Sequence, residues 1–242
     1  MIELIYGFIF ILIAIILSIK EELKLERELL VSAILALIQL IFLGYVLIYV
    51  FKYGGMAFTY LIMSIMVLTA TYIVYNKIEI NHKRKMFIYL LLTFLSIAIV
   101  TLSILIFSKI VPYEPRYIIP LMGMAIGNST NTVHIALDKI IDHIKSNRDE
   151  LWGYLSLGAG EFQALKPFMT IAIKSSIVPS MNMAKSVGII FIPGAMTGMI
   201  LSGVDPLYAA KIQIIIMWMI LGNALLSGLI LFYIGYKELI KI

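Results

Sequence analysis

The stretch SVGIIFIPGAMTGMILSGVDP, from Ser186 to Pro206, decides how the fold of this chain is predicted. It is almost wholly apolar, and a membrane-crossing helix needs about 20 such residues. Pro193 and Gly194 nevertheless lie near its centre, and Gly198 follows. Proline and glycine weaken a helix, and broken helices recur where transporters bind substrate or bend between states. The stretch therefore predicts a membrane helix with a hinge at these three residues, and a simple packing kink is the alternative.

The composition of the whole chain is typical of a membrane protein. Of its 242 residues, 62% are hydrophobic and only 14% are charged, whereas soluble domains carry about 25% charged residues. The sequence therefore predicts an all-α, multi-pass protein of the cell membrane with a single transmembrane domain. The N-terminus has neither a basic residue before its apolar run nor a small-residue cleavage site, so we expect a retained first span. Cysteine is absent, which excludes disulfides, and the net charge of +5 is no sign of a nucleic-acid partner.

Seven apolar segments are long enough to be membrane spans, and the charges between them set an orientation. The segments are approximately Ile2–Ile19, Leu29–Phe51, Met56–Tyr75, Phe87–Val111, Tyr117–Leu137, Ile177–Leu201 and Leu207–Tyr236. Lys and Arg are concentrated in the first, third and fifth loops and in the C-terminal tail, whereas the opposite side carries only Lys52, Lys109 and Arg116. Because positively charged loops stay in the cytoplasm, we expect the N-terminus outside and the C-terminus inside. The two termini lie on opposite sides of the membrane only when the number of spans is odd, as it is for seven.

The one long loop, residues 138–176, is predicted to lie in the cytoplasm. Ile140, Ile141 and Ile144 recur at helical spacing, which indicates either an amphipathic surface helix or the end of span five. Gly158-Ala159-Gly160 then interrupts the helical pattern, since glycine permits a sharp turn. A second helix follows, in which Pro167 produces a kink or marks the first turn. Two helices joined by a glycine elbow, residues 157–160, form a corner that a soluble motor can push, and a plain surface hairpin is the alternative.

Span five contains an unusual run of polar residues. Asn128 to Thr132 are all polar, and His134 follows. Exposing these groups to lipid would cost several kcal/mol, so we expect them to face protein or a water-filled path. Asn182 lies at the entry to span six. We predict a substrate path lined by Asn128, Asn131, Thr132, His134 and Asn182, and the alternative for each residue is a hydrogen-bonding role between helices.

The sequence contains no recognisable catalytic motif. His82, His134 and His143 are scattered, and neither an H-E-x-x-H pair, a G-x-S-x-G elbow nor a Walker A motif is present. We expect His134 to act as a hydrogen-bonding residue and not as a metal ligand. The chain is therefore predicted to be no enzyme, to hold no metal or other cofactor, and to leave ATP binding to another protein.

Three motifs in the C-terminal half carry a resemblance to a known family. They are IPLMGMAIGNSTN, LSLGAGEFQA and IVPSMNMAKSVGIIFIPGAMTGMILSGVDPLYAAKIQI, within residues 116–217. They resemble the membrane permeases of FetB-type iron-export ABC transporters, a group that includes the plant aluminium-tolerance permeases. The first four spans match only in hydropathy and number. Trp152 is one difference, since family members often carry an acidic residue at that position.

The resemblance implies a permease that pairs with a separately encoded cytoplasmic ATP-binding subunit. It makes four residues candidate contacts with that subunit: Leu157, Gly158, Ala159 and Gln163. An ABC assembly needs two membrane halves, so a homodimer surrounded by membrane lipid is also implied.

The resemblance further implies export of metal ions, chiefly iron. The residues themselves do not require this cargo, because the predicted path holds amides and hydroxyls instead of the carboxylates and thiolates that transition metals usually select. Export of a nucleotide sugar or another polar solute is therefore an alternative function. A third possible function is that of an intramembrane enzyme or of a scaffold that does not transport.

Overall fold

The computed structural model describes residues 2–78 and 83–241, and regular structure within them is entirely α-helical. Nine helices occur in this part of the chain: α1 Ile2–Lys20, α2 Glu26–Tyr53, α3 Met56–Lys77, α4 Lys83–Ser108, α5 Pro115–Ser146, α6 Arg148–Ser156, α7 Glu161–Ser186, α8 Gly194–Leu201 and α9 Pro206–Leu239. The predicted all-α fold is confirmed.

The chain divides into two compact units, Met1–Gly55 and Met56–Ile242. The first unit holds α1 and α2, which a short turn connects. Ser18 stabilises this turn, because its hydroxyl donates to Glu26 Oε1 at 3.0 Å and accepts from the Leu25 N–H at 3.1 Å. Most other described side chains of this unit are exposed apolar groups. Such a surface is suited to lipid and not to water.

In the second unit α5 is the central helix, since it packs against α3, α4, α7 and α9. These helices share one core, whose largest fully buried side chains include Phe94, Phe168 and Phe232. Lipid tails are as apolar as these side chains, so close packing and interhelical hydrogen bonds stabilise the core more than the exclusion of water does. One such bond joins α4 to α9, where Asn223 Nδ2 donates to Thr101 Oγ1 over 2.8 Å.

Several helices are suited to crossing a membrane. In the described part of the chain, four are long and apolar enough to do so, namely α2, α3, α4 from Arg84, and α9. The apolar part of α1, Tyr6–Lys20, is shorter. Helices α5 and α7 are also long, with 32 and 26 residues, but they are more polar. The multi-pass architecture is confirmed, while the count of seven spans and the orientation of the termini stay predictions.

The predicted sixth span, Ile177–Leu201, is wrong as a single helix. Helix α7 starts at Glu161, inside the predicted loop, and already ends at Ser186. Residues 187–193, here called the helix break, are not helical, and the 8 residues of α8 that follow are too few to cross a membrane. The physical reason is that Gly188 takes a φ of +80° and Pro193 offers no N–H, so the helical hydrogen bonding cannot continue.

The predicted cytoplasmic loop, residues 138–176, is mostly helix. Its first part belongs to α5, which ends at Ser146. Of the two alternatives, this supports a continuation of span five and not a separate surface helix. Pro167 lies inside α7 and not at its first turn. The elbow between α6 and α7 is present as predicted, and Gly158 takes a φ of +89° there. Glycine adopts this conformation at little steric cost, which explains why the helical pattern stops at this point.

Candidate functional site

Part of the predicted substrate path forms one small cavity between α5 and α7, here called the polar cavity. Its lining includes Asn128, Asn131 and Thr132 from α5. From α7, its lining includes Ser176, Pro179, Ser180 and Met183. Its volume is about 110 Å³. Asn128 and Thr132 reach the same cavity because residues four apart share one face of a helix.

The polar side chains of this cavity donate hydrogen bonds mainly within their own helices. Asn128 Nδ2 donates to the Met124 carbonyl oxygen at 2.8 Å, and Thr132 Oγ1 donates to the Asn128 carbonyl oxygen at 3.1 Å. The Ser176 hydroxyl donates to the Ile173 carbonyl oxygen at 2.9 Å. The side chains of Asn131 and Ser180, and the second N–H of the Asn128 amide, keep donors as well as oxygen acceptors for a ligand. The cavity is therefore suited to a small polar ligand or, through its oxygens, to a cation.

Two predicted path residues lie elsewhere. His134 Nδ1 is 3.3 Å from Asp138 Oδ2 on the same helix, without the alignment of a good hydrogen bond, so the two form an ion pair only when the imidazole is protonated. Asn182 is exposed near the end of α7. His82 lies outside the described residues, and among those described no three His, Cys, Asp or Glu side chains gather as metal ligands. A path role for His134 and Asn182 stays a prediction.

The predicted hinge residues lie at the C-terminal side of the helix break. Pro193 is the N-cap of α8, Gly194 is its first residue and Gly198 lies within it. A Cβ atom at Gly194 or Gly198 would meet nothing within 4 Å, and neither residue has a positive φ, so local geometry does not require glycine there. Gly188 is the position that does require it, and its N–H donates to the Phe191 carbonyl oxygen at 2.9 Å. The sequence analysis missed Gly188 because it gave weight to the Pro-Gly pair.

A second cavity of about 210 Å³, here called the break cavity, lies against the helix break. Asn128 and Met183 line both this cavity and the polar cavity. Gln213 and Met217, from α9, also line the break cavity, and both line a third cavity of about 310 Å³. The shared residues place the three cavities next to one another, from the polar face of α5 to α9.

Gln213 is the candidate functional residue that the sequence analysis missed. Its side chain is 6% exposed, and its side-chain oxygen has no hydrogen-bond partner in the protein. Leaving a buried acceptor unpaired costs about 1–3 kcal/mol, so such a group is expected to serve a ligand or a water molecule. The signal in the sequence was a single amide inside the apolar run KIQIIIMW, residues 211–218.

The elbow presents one large apolar side chain to its surroundings. Leu157 is 88% exposed at its tip. The helices on either side of it are anchored, because Leu151 in α6 and Leu165 in α7 are buried in the core. An exposed leucine on an anchored corner is suited to docking into a groove of another protein.

The remaining elbow residues hold this corner in shape. The Gly158 N–H donates to the Leu155 carbonyl oxygen at 3.0 Å. Gln163 Oε1 accepts from the Gly160 N–H at 3.1 Å, which caps the start of α7. Ala159 packs, partly buried, against the core. Of the four predicted contact residues, Leu157 is thus the most exposed, while Ala159 and Gln163 also support the corner.

Comparison with known proteins shows that the chain is similar to membrane proteins of one family. The model of the uncharacterised protein family UPF0014 matches residues 1–240. The chain is 34% identical over 233 residues to the probable iron export permease protein FetB of Escherichia coli (strain K12), covering 94% of this chain and 87% of that protein. It is 32% identical over 236 residues to the UPF0014 membrane protein YjkA of Bacillus subtilis (strain 168), covering 97% and 93%. It is also 32% identical over 229 residues to the protein ALUMINUM SENSITIVE 3 of Arabidopsis thaliana, covering 94% and 83%.

These matches extend the resemblance beyond the three C-terminal motifs. The family match includes α1 to α4, for which the sequence analysis found a likeness only in hydropathy and number. The resemblance to the FetB-type permeases is therefore confirmed over most of the chain. No solved structure matches the chain significantly. Because the family model and the relatives both cover nearly its whole length, this multi-pass membrane protein belongs to the UPF0014 family.

Proposed function

We propose that this chain is the membrane permease subunit of an ATP-driven ABC-type exporter and that its cargo is a metal ion such as iron. A relative that is 34% identical over 94% of the chain is named a probable iron export permease, which supports a permease role. The sequence has no Walker A motif, so ATP is expected to bind a separate cytoplasmic subunit. Two copies of the permease would form the membrane part of the assembly.

The observation that carries this proposal is the continuity of α7. The helix begins directly after the elbow and runs for 26 residues to the helix break. At about 1.5 Å per residue, it is a rod of about 39 Å. On its way it contributes Ser176, Ser180 and Met183 to the polar cavity. A displacement of the elbow would therefore be transmitted along one helix to the residues that face the cargo.

The helix break is suited to absorb such a displacement. Residues 187–193 are held by turn hydrogen bonds, such as that from the Ile190 N–H to the Ser186 carbonyl oxygen at 2.9 Å. The chain is not helical between α7 and α8, so a tilt of α7 need not be passed along the backbone to α8, although α7 also packs directly against α9. Closure of the ATP-binding subunits would move the elbow, and the break would allow the cavities to open or close.

The size of the cavities favours a small cargo. Sites for drug-sized ligands measure about 300–1,000 Å³. The polar cavity and the break cavity are smaller, at about 110 and 210 Å³. The two cavities that Asn128 lines therefore fit a metal ion better than a nucleotide sugar, whereas the third cavity, at about 310 Å³, reaches the lower limit for drug-sized ligands.

The test is docking of the ATP-binding subunit at Leu157. We would co-express the chain with each candidate ATP-binding subunit of an ABC transporter from the same genome and measure co-purification and ATP hydrolysis. Leu157→Asp is expected to weaken the complex by about 30-fold, as the loss of an interface hot spot does. The matched control is Leu23→Asp, which changes an exposed leucine of the connection between α1 and α2.

Membrane insertion of both variants would be checked by fractionation and by gel filtration in detergent. Co-purification of the wild type and of Leu23→Asp, together with loss of the complex in Leu157→Asp, would support the proposal. Absence of a complex with the wild type, or an unchanged complex with Leu157→Asp, would refute it.

A further inference from the structure

The break cavity combines two kinds of donor atom. Its lining includes Met124 in α5, Met183 in α7 and Met217 in α9, so each of these three helices contributes one methionine. Asn128 and Gln213, which carry side-chain amides, line it as well. These five residues are here called the thioether–amide set.

Methionine is a common filler of apolar cores, so its presence alone indicates no site. Met122, for example, is fully buried in the core of the same unit and is not among the residues that line the break cavity. The thioether–amide set differs because its methionines border an open volume of about 210 Å³. A side chain that served only as filler would occupy such a space.

The second, independent observation is the unpaired oxygen of Gln213. The side chain is 6% exposed and lines the break cavity, yet its oxygen accepts no hydrogen bond from the protein. A buried acceptor in this position requires a partner from outside the protein. The amide nitrogen of Asn128 donates to the Met124 carbonyl oxygen, and no hydrogen bond to the Asn128 side-chain oxygen is present among the described residues, so that oxygen is free to accept from or coordinate a ligand.

We propose that the thioether–amide set is a binding subsite for a low-valent transition-metal ion, with the three methionine thioethers as soft ligands and the oxygens of Gln213 and Asn128 as harder ones. Thioethers select soft ions such as Cu(I), and Mg²⁺ and Ca²⁺ prefer carboxylates, carbonyls and water. The set carries no formal charge, which favours an ion of low charge over a trivalent one. The thioethers fit Cu(I) best, whereas Fe(II) would depend more on the two amide oxygens, and direct binding distinguishes the two ions.

This inference rests on the proposed function, since it names the subsite for the exporter's cargo. It also explains how a chain without cysteine, and without a cluster of His, Asp or Glu among its described residues, can select a transition metal. The metal donors would come mainly from methionine.

The experiment measures metal binding to the purified full chain in detergent, without any ATP-binding subunit. Cu(I) would be titrated in competition with a chromophoric Cu(I) chelator, and Fe(II) by anaerobic equilibrium dialysis, each with a large excess of Mg²⁺ present. The test variants are the triple change Met124→Leu, Met183→Leu, Met217→Leu and the single change Gln213→Leu. The control is Met122→Leu, which is buried on α5 outside the cavity lining.

We expect about one ion bound per chain, with binding weakened about tenfold or more in both test variants. Met122→Leu should bind nearly as the wild type does, and thermal unfolding of all variants would be compared so that loss of fold is recognised. Whichever of Cu(I) and Fe(II) binds more tightly identifies the favoured cargo. Binding of neither ion, equal binding by the triple variant, or displacement of the ion by Mg²⁺ would overturn the proposal.

The result is separable from that of the docking experiment. A chain that binds its ATP-binding subunit through Leu157 but binds no metal would refute the subsite and leave the coupling intact. A chain that binds metal through the thioether–amide set but associates with no ATP-binding subunit would refute the coupling and leave the subsite intact.

Discussion

Asn128 in α5 and Gln213 in α9 line the same cavity from two different helices, with Met183 of α7 on its wall as well. Helix α7 is also the helix that begins at the elbow. A movement of α7 would therefore change the distance between Met183 and the two amides. This relationship connects the proposed docking site to the proposed cargo site through a single helix, which contains Pro167 and Pro179.

The first prediction concerns the unequal roles of two asparagines. Asn128→Leu should lower metal export about tenfold, because it removes an amide that lines both the polar cavity and the break cavity. Asn182→Leu should have little effect, since Asn182 is exposed and lines neither cavity. The measurement is efflux from metal-loaded proteoliposomes that contain the permease and its ATP-binding subunit. Equal losses in the two variants would show that the cavities do not define the path.

The second prediction concerns stability at the helix break. Gly188→Ala should lower the free energy of unfolding by about 1–2 kcal/mol, because a Cβ atom is strained at a φ of +80°. Gly194→Ala should be neutral or slightly stabilising, since the added Cβ meets no atom within 4 Å and alanine favours a helix. Equilibrium unfolding in mixed detergent micelles measures both. A larger loss in Gly194→Ala than in Gly188→Ala would contradict the geometry.

The third prediction concerns whether the helix break bends during transport or serves only the structure of the inserted protein. Gly194→Val adds a branched side chain into open space at the start of α8, so insertion into the membrane should be retained. If the break bends during transport, the stiffer backbone should depress export more than insertion. Export and the amount of inserted protein would be measured on the same vesicles. Parallel loss of both would make the break a purely structural feature.

The fourth prediction concerns the buried hydrogen bond from Asn223 to Thr101. A double-mutant cycle with Asn223→Leu and Thr101→Val should give a coupling free energy of about 0.6 kcal/mol, and at most about 1.7, as for other hydrogen bonds between membrane helices. The bond links α9 to α4 at a distance of 2.8 Å in a buried position. Unfolding in mixed micelles gives the four free energies. Additive single changes would show that the bond contributes nothing to the fold.

Much of the architecture could be predicted from local patterns. Long apolar segments with few charges can satisfy their backbone only as helices in a membrane, so the all-α, multi-pass fold followed directly from composition. The elbow at Gly158 was equally predictable, because glycine is the residue that tolerates a positive φ. The end of α7 could not be predicted in this way, since the apolar run continues through residues 187–193 without a change in hydropathy.

The candidate site was only partly predictable, for a related reason. Asn128 and Thr132 are four residues apart, so helical periodicity alone placed them on one face. Their meeting with Gln213 depends on α5 packing against α9, a contact between segments far apart in sequence. The importance of Gly188 depends on a backbone angle that no pattern of residue types reveals.

The sequence by itself determined that this chain is helical, lies in a membrane and turns at a glycine elbow, because these properties arise from residues close together along the chain. Only the tertiary structure decided that α7 reaches unbroken from that elbow to the helix break, and that thioethers and amides of three helices border one cavity. The physical reason is that a cavity and an unpaired oxygen are properties of how distant helices pack, and packing depends on shapes that become defined only when the chain has folded.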